Sequence, residues 1–95
     1  MQVNLYATFR VQAGTRSIEL TLPSGSTMLQ AVDAIIVTIP TLKTIWLDEK
    51  GEIQNYVYGL INGVDVSTLP EGWSTKLKPE DVLDFLPPVA GGENN

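Results

Sequence analysis

The residues best suited to chemistry in this chain lie in the run Leu86-Pro87-Pro88-Val89-Ala90-Gly91-Gly92, which Glu93, Asn94 and Asn95 follow. Two prolines favour extended backbone and donate no N–H, so they push the chain away from any sheet that contains Leu86. Gly91 and Gly92 then present backbone without side chains, able to thread a narrow channel and approach a reactive centre closely. A merely loose terminus accounts for Glu93-Asn94-Asn95. It leaves a stiff exit followed by a bare glycine pair without a reason.

The other candidates for chemistry are weaker. The 95 residues include no cysteine and no histidine. That removes thiol nucleophiles, thiolate metal sites, disulfides, and the commonest general base and metal ligand. Carboxylates cluster at Asp48-Glu49 with Glu52, and at Glu80-Asp81 with Asp84. Both clusters fall in turns or at strand ends, where Asp and Glu serve as solvated turn residues. No spacing matches a calcium loop, a P-loop or a catalytic triad, and Gly59, Gly63 and Gly72 do not make a dinucleotide fingerprint. Trp46 and Trp73 read as core or loop anchors rather than a ligand cage. No catalysis by this chain, no metal and no bound cofactor are expected.

Composition sets the frame. An apolar share of 43% fits one globular domain. No apolar run reaches membrane-spanning length, and MQVNLYATFR lacks the form of a signal peptide. A cytoplasmic protein without a membrane partner is expected. The net charge of −5 repels a phosphate backbone, so nucleic acid is excluded as a partner. The same charge suits solubility, or docking on a basic protein surface.

The elements that must position the tail follow from periodicity. Val3, Leu5, Ala7, Phe9 and Val11 alternate with polar residues and predict a half-buried strand; Ala13-Gly14-Thr15 predicts a turn. Ile18, Leu20 and Leu22 alternate in turn, completing a β-hairpin. Thr27 and Gln30 have the spacing of a capping box, and a helix over residues 28–39 follows, ended by Pro40. Its apolar stripe is Leu29, Val32, Ile36 and Ile39, with Met28 and Ile35 beside it. Thr44-Ile45-Trp46-Leu47 fits either a short strand or a helical turn. Residues 48–52 form a polar turn, and residues 56–61 a strand. Asn62-Gly63 is the dipeptide of a tight hairpin whose central residues both need positive φ, and Val64-Asp65-Val66 returns. Residues 67–81 are mostly loop, anchored by Leu69, Trp73 and Leu77. Residues 82–86 form the last strand, which Pro87 ends. Strand, strand, helix and further strands make an α+β fold: a mixed β-sheet with one main helix packed on one face, the ubiquitin-like β-grasp. The crossover lets the last strand lie parallel to the first. Residues 1–86 form the domain and residues 87–95 an extended tail. If first and last strands pair, Tyr6 and Leu86 share the open face of the sheet and make an apolar docking patch.

Three stretches carry a family resemblance: Leu5-Tyr6-Ala7-Thr8-Phe9-Arg10 with Ala13-Gly14, Leu60-Ile61-Asn62-Gly63-Val64-Asp65-Val66, and residues 77–92 from Leu77 through Pro87-Pro88-Val89-Ala90-Gly91-Gly92. The sequence resembles the MoaD/ThiS family of ubiquitin-like sulfur carriers, in particular MoaD and its archaeal modifier relatives, over residues 2–92. The ending is the specific part; the remainder agrees in pattern.

The resemblance implies a mechanism. The α-carboxylate of the second glycine reacts with ATP on an adenylating enzyme of the ubiquitin-activating type. Sulfur then attacks the acyl-adenylate to leave a thiocarboxylate, or a lysine amine attacks it to leave an isopeptide bond. The chain is a substrate or carrier, the small subunit of a synthase, and the partner brings ATP and nucleophile. It also implies that the open sheet face contacts the activating enzyme and the molybdopterin synthase large subunit. Here Gly92 is joined to Glu93, so a precursor is expected, with a protease, a metalloprotease by analogy, removing residues 93–95. Three functions stand side by side: a sulfur carrier for molybdopterin synthesis, a modifier joined to lysines of target proteins, and a β-grasp binding module that is not activated. Lys43, Lys50, Lys76 and Lys78 are either acceptors for self-conjugation or ordinary surface residues.

Overall fold

Strict alternation in Val-Leu-Asp-Phe-Leu makes residues 82–86 a strand with one apolar side and one mixed side, and this strand organises the molecule. The computed structural model describes residues 1–88. Val89, Ala90, Gly91, Gly92 and residues 93–95, the greater part of the expected tail, lie outside the described residues. The elements are β1 (Gln2–Leu5), α1 (Ala7–Ala13), β2 (Ser17–Glu19), α2 (Met28–Thr38), α3 (Lys43–Trp46), β3 (Tyr58–Ile61), β4 (Val64–Asp65) and β5 (Val82–Leu86). The sheet order is β2-β1-β5-β3-β4. β5 is central, parallel to β1 on one side and antiparallel to β3 on the other. β1 pairs antiparallel with β2, and β3 with β4. Among the described residues no single helix is long and apolar enough to cross a membrane.

One face of the sheet, the inner face, carries Val3, Leu5, Ile61, Leu83 and Phe85, all buried. α2 adds Met28, Ala31, Val32 and Ile35 to the same core. Trp46 is wholly buried, stacked on Phe85 at 4.8 Å and met edge-on by Phe9 at 5.4 Å. Its indole N–H has no hydrogen-bond partner among the described residues, so the ring is held by packing and not by a polar anchor. Each such side chain contributes about 1.5–3 kcal/mol by burial. Trp73 stacks on Phe85 at 6.5 Å and occupies the space over Gly59, where a Cβ would come within 2.7 Å of its ring.

The capping box at α2 forms as the sequence predicts: Gln30 N–H donates to the Thr27 hydroxyl, and the Gln30 side-chain carbonyl accepts from Thr27 N–H. The helix ends at Thr38, one residue short of expectation, before a 3-10 turn at Pro40–Leu42. Its buried stripe is Met28, Ala31, Val32 and Ile35; Leu29, placed on the stripe by the sequence, faces out. Asn62 and Gly63 take φ of 50° and 85°, as the tight hairpin requires.

The first hairpin needs correction. β1 stops at Leu5, and residues 7–13 are helical, not extended. The alternation of Leu5, Ala7, Phe9 and Val11 fits a strand, but Leu5 and Phe9 also lie four apart, and both are buried while Val11 is 79% exposed. Ala7 turns the chain at φ 53°, and Gly14 closes α1 in the left-handed conformation that helix ends favour. β2 ends at Glu19, before Leu22. Residues 43–46 resolve to the helical turn, β3 begins at Tyr58 and not at residue 56, and Val66 starts a 3-10 turn rather than extending β4.

Candidate functional site

The site is built on the second face of β5 and on the strand's exit. Because side chains alternate, Val82, Asp84 and Leu86 point away from the core, onto the outer face. Register then decides their neighbours. Asp84 lies between Asn4 of β1 and Leu60 of β3, and Leu86 lies opposite Tyr58. Tyr6 joins them although β1 has ended. Its backbone is extended, with φ −124° and ψ 155°, and its N–H donates to the Phe85 carbonyl at 3.2 Å. That carries the ladder one step beyond the Leu5–Phe85 pair before Ala7 turns the chain.

The result is a carboxylate set among apolar groups. Asp84 Oδ1 accepts from Asn4 Nδ2 at 2.9 Å and from the Tyr6 hydroxyl at 3.2 Å. Gln2 Nε2 donates to Asn4 Oδ1 at 2.8 Å and orients that amide. Around them, Tyr6 is 39% and Tyr58 41% exposed, and Leu60 and Leu86 are half-buried. The Tyr6 hydroxyl titrates above the ordinary tyrosine range. Desolvation is the larger cause, then the charge of Asp84 and its hydrogen bond, while Arg10 draws it partly back. The phenol therefore stays a donor to Asp84 through neutral pH.

The base of the tail is fixed from both ends of β5. At the start, Asn62 Nδ2 donates to Asp81 Oδ1 at 2.9 Å, Lys78 N–H donates to Asp81 Oδ2 at 2.8 Å, and Asn62 Oδ1 accepts from Val82 N–H at 2.9 Å. At the finish, β5 ends at Leu86, with Pro87 half-buried and Pro88 exposed.

Tyr6 and Leu86, paired by the sequence, both lie on the outer face beside Asp84. Thr8, which unbroken alternation would put on the same face as Tyr6, belongs instead to α1. Asp84 shares the parity of Leu86 along β5 and joins the patch, and Tyr58 and Leu60 of β3 extend it. The parity of Tyr58 with Leu60 places them on one face, but only the pairing of β3 with β5 places that face beside Leu86. The carboxylate clusters are turn residues except for Asp84, which lies in the middle of β5 and not in a turn or at a strand end: Asp81 closes the loop before β5, and Asp48 Oδ1 accepts from the Lys50 and Glu52 amides at 2.8 and 2.9 Å. Among the described residues no group of acidic side chains converges as a metal site would require.

Comparison with known proteins agrees with this architecture. The model of the ThiS family matches residues 3–92. Small archaeal modifier protein 1 of Haloferax volcanii is 28% identical over 92 residues, spanning 97% of this chain and 100% of its own. A crystal structure of that organism's protein superimposes with a TM-score of 0.85 at 25% identity, covering 96% of this chain and 97% of the other. The solution structure of small archaeal modifier protein 1 from Methanosarcina acetivorans gives a TM-score of 0.79 at 35% identity, covering 96% and 94%. A molybdopterin converting factor subunit 1 of Pyrococcus furiosus, so described provisionally, gives 0.71 at 28% identity, covering 93% and 95%. The shared fold is the ubiquitin-like β-grasp.

Proposed function

The chain belongs to the ThiS family, and from that premise we propose that it is a ubiquitin-like sulfur carrier of MoaD type working through the carboxylate of Gly92. Hydrolysis of the Gly92–Glu93 amide by a processing protease removes residues 93–95 and frees that carboxylate. One of its oxygens attacks the α-phosphorus of ATP on an adenylating enzyme of the ubiquitin-activating type, and pyrophosphate leaves. Sulfide sulfur attacks the carbonyl carbon of the acyl-adenylate, AMP leaves, and a thiocarboxylate remains to donate sulfur in molybdopterin synthesis. ATP is a co-substrate consumed on the partner, and this chain binds no cofactor of its own. The reaction takes place in the cytoplasm, with the synthase large subunit as the receiving partner.

One observation carries the reading: the central strand, held on both flanks, delivers Pro87 and Pro88 directly from a rigid sheet. A tail launched in this way starts from a defined point, which lowers the entropic cost of placing Gly92 in a partner's channel. Pro87, Pro88, Val89 and Ala90 thread the channel, and Gly91 and Gly92 fit where no side chain can. Tyr6 and Leu86 on the outer face dock against the activating enzyme.

A second reading, conjugation to target-protein lysines, is favoured by similarity to the two archaeal modifier proteins. It shares every step up to the acyl-adenylate and differs in the nucleophile, a lysine amine in place of sulfide.

Intact-mass spectrometry of the protein from its own cells tests both. A chain ending at Gly92 with one oxygen replaced by sulfur supports the carrier. The same terminus on lysines of other proteins supports the modifier. A Gly92→Val chain that remained fully active in cells would overturn both and leave the binding module.

A further inference from the structure

We propose that Asp84 is the specificity-determining anion of the outer face and that the surface docking there presents an arginine to it. This rests on the reading that the outer face meets the activating enzyme. Asp84 sits on the central strand, in the middle of Tyr6, Tyr58, Leu60 and Leu86. A partner that covers those apolar groups also strips water from the carboxylate. An unpaired carboxylate in such a place is strongly unfavourable.

Among the described residues no cation forms an ion pair with Asp84. Among the described residues the only ion pair joins the Met1 amino group to Glu19, on the far side of β1. Arg10, whose charge is felt at the Tyr6 hydroxyl, donates its Nε–H to the Leu5 carbonyl at 3.4 Å and lies beyond ion-pair distance of Asp84. Asn4 and Tyr6 are neutral donors, and both address Oδ1. Oδ2 has no hydrogen-bond partner among the described residues. The carboxylate is thus oriented by two donors and left with one open oxygen, a prepared half of an ion pair. The missing half must come with the partner.

Arginine fits this place better than lysine. Guanidinium is more weakly hydrated than ammonium, so it loses less on entering a half-apolar patch. Its plane also stacks on exposed tyrosine rings, of which Tyr6 and Tyr58 offer two. The net charge of −5 steers a basic surface toward this molecule before contact.

The test is calorimetric titration of the chain ending at Gly92 with the ubiquitin-activating-type enzyme encoded in the same genome, at low and high salt, alongside ATP–pyrophosphate exchange. Asp84→Asn keeps an oxygen for Asn4 and Tyr6 and removes only the charge. It should weaken binding about 10–100-fold and flatten the salt dependence. In the exchange assay it should raise KM while leaving kcat unchanged. Val37→Ser, on the exposed side of α2, should change nothing. Equal or tighter binding by Asp84→Asn, with the wild-type chain bound and activated, overturns this proposal and leaves the Gly92 reading standing. A wild-type chain neither bound nor activated overturns both. If Asp84→Asn fails to fold, Asp84→Ser takes its place under the same reading: weaker binding with a flattened salt dependence supports the ion pair, and unchanged binding overturns it.

Discussion

Along β5, Leu83 and Phe85 are wholly buried, whereas Val82, Asp84 and Leu86, on the other side of the same five residues, remain half-open to solvent. The inner side meets α2, Trp46 and Trp73 in close aromatic packing. Among the described residues the Asp84 carboxylate on the outer side bonds only to Asn4 and Tyr6, yet this side is not simply polar: a carboxylate with two fixed donors stands among tyrosine and leucine. The contrast separates two kinds of constraint within one strand. Packing explains each inner residue. It does not explain Tyr6, Asp84, Leu86 and Tyr58, whose arrangement makes sense as a surface that something else completes.

The sharpest way to break the contrast is to exchange the consequences of its two sides. Phe85→Ala should cost about 3–5 kcal/mol of stability by denaturant unfolding, since it removes the ring on which both tryptophans stack. Gly59→Ala should cost about 1–3 kcal/mol in the same measurement, because the new Cβ meets Trp73 at 2.7 Å and Met28 Cε at 3.0 Å. Leu86→Asp, on the outer side, should change stability by less than about 1 kcal/mol while weakening binding to the activating enzyme about tenfold. Equal stability losses for Leu86→Asp and Phe85→Ala would erase the distinction. Ala7→Gly should gain about 0.5–1 kcal/mol by relieving the positive φ at the corner that carries Tyr6.

The smallest effect concerns pH. The Tyr6 hydroxyl is raised in the folded chain, so the folded state keeps this proton longer than the unfolded state does. Its contribution to stability is complete below the unfolded value, about 10, and is lost as pH rises through the folded one. Phenolate absorbance during alkaline titration should show a late step that Tyr6→Phe removes. Asp84→Ala should move that step down, because two of the three raising causes disappear, leaving desolvation opposed by the charge of Arg10.

Much of this was legible in the sequence because local rules and the fold agreed. Thr27 with Gln30, Asn62 with Gly63, and the alternation from Val82 to Leu86 each specify a geometry through residues close in sequence. Their consequence, a mixed sheet with parallel β1 and β5 crossed by one helix, was legible too. The corner at Tyr6 and Ala7 was not. Alternation across residues 3–11 satisfies a strand as well as a strand followed by a helix, and alanine does not advertise positive φ as glycine would. Gly14, the left-handed residue that closes α1, was the available signal. On the candidate site, parity alone placed Tyr6 and Leu86 on one face. Tyr58, Leu60 and the Asp84 hydrogen bonds depend on register between β5 and strands remote in sequence, which no local pattern encodes.

The central place of β5 also sets a length. Residues 87–92 number six, and fully extended they span at most about 20 Å. Any pull on them runs along a strand bonded to β1 and to β3, so both ladders are loaded together, in shear, rather than opened one bond at a time. The domain therefore acts as a stopper on a short leash. On the proposed reading, an enzyme drawing in the glycine pair would meet the sheet as a firm shoulder, and its reactive centre would lie within that distance of wherever the outer face comes to rest.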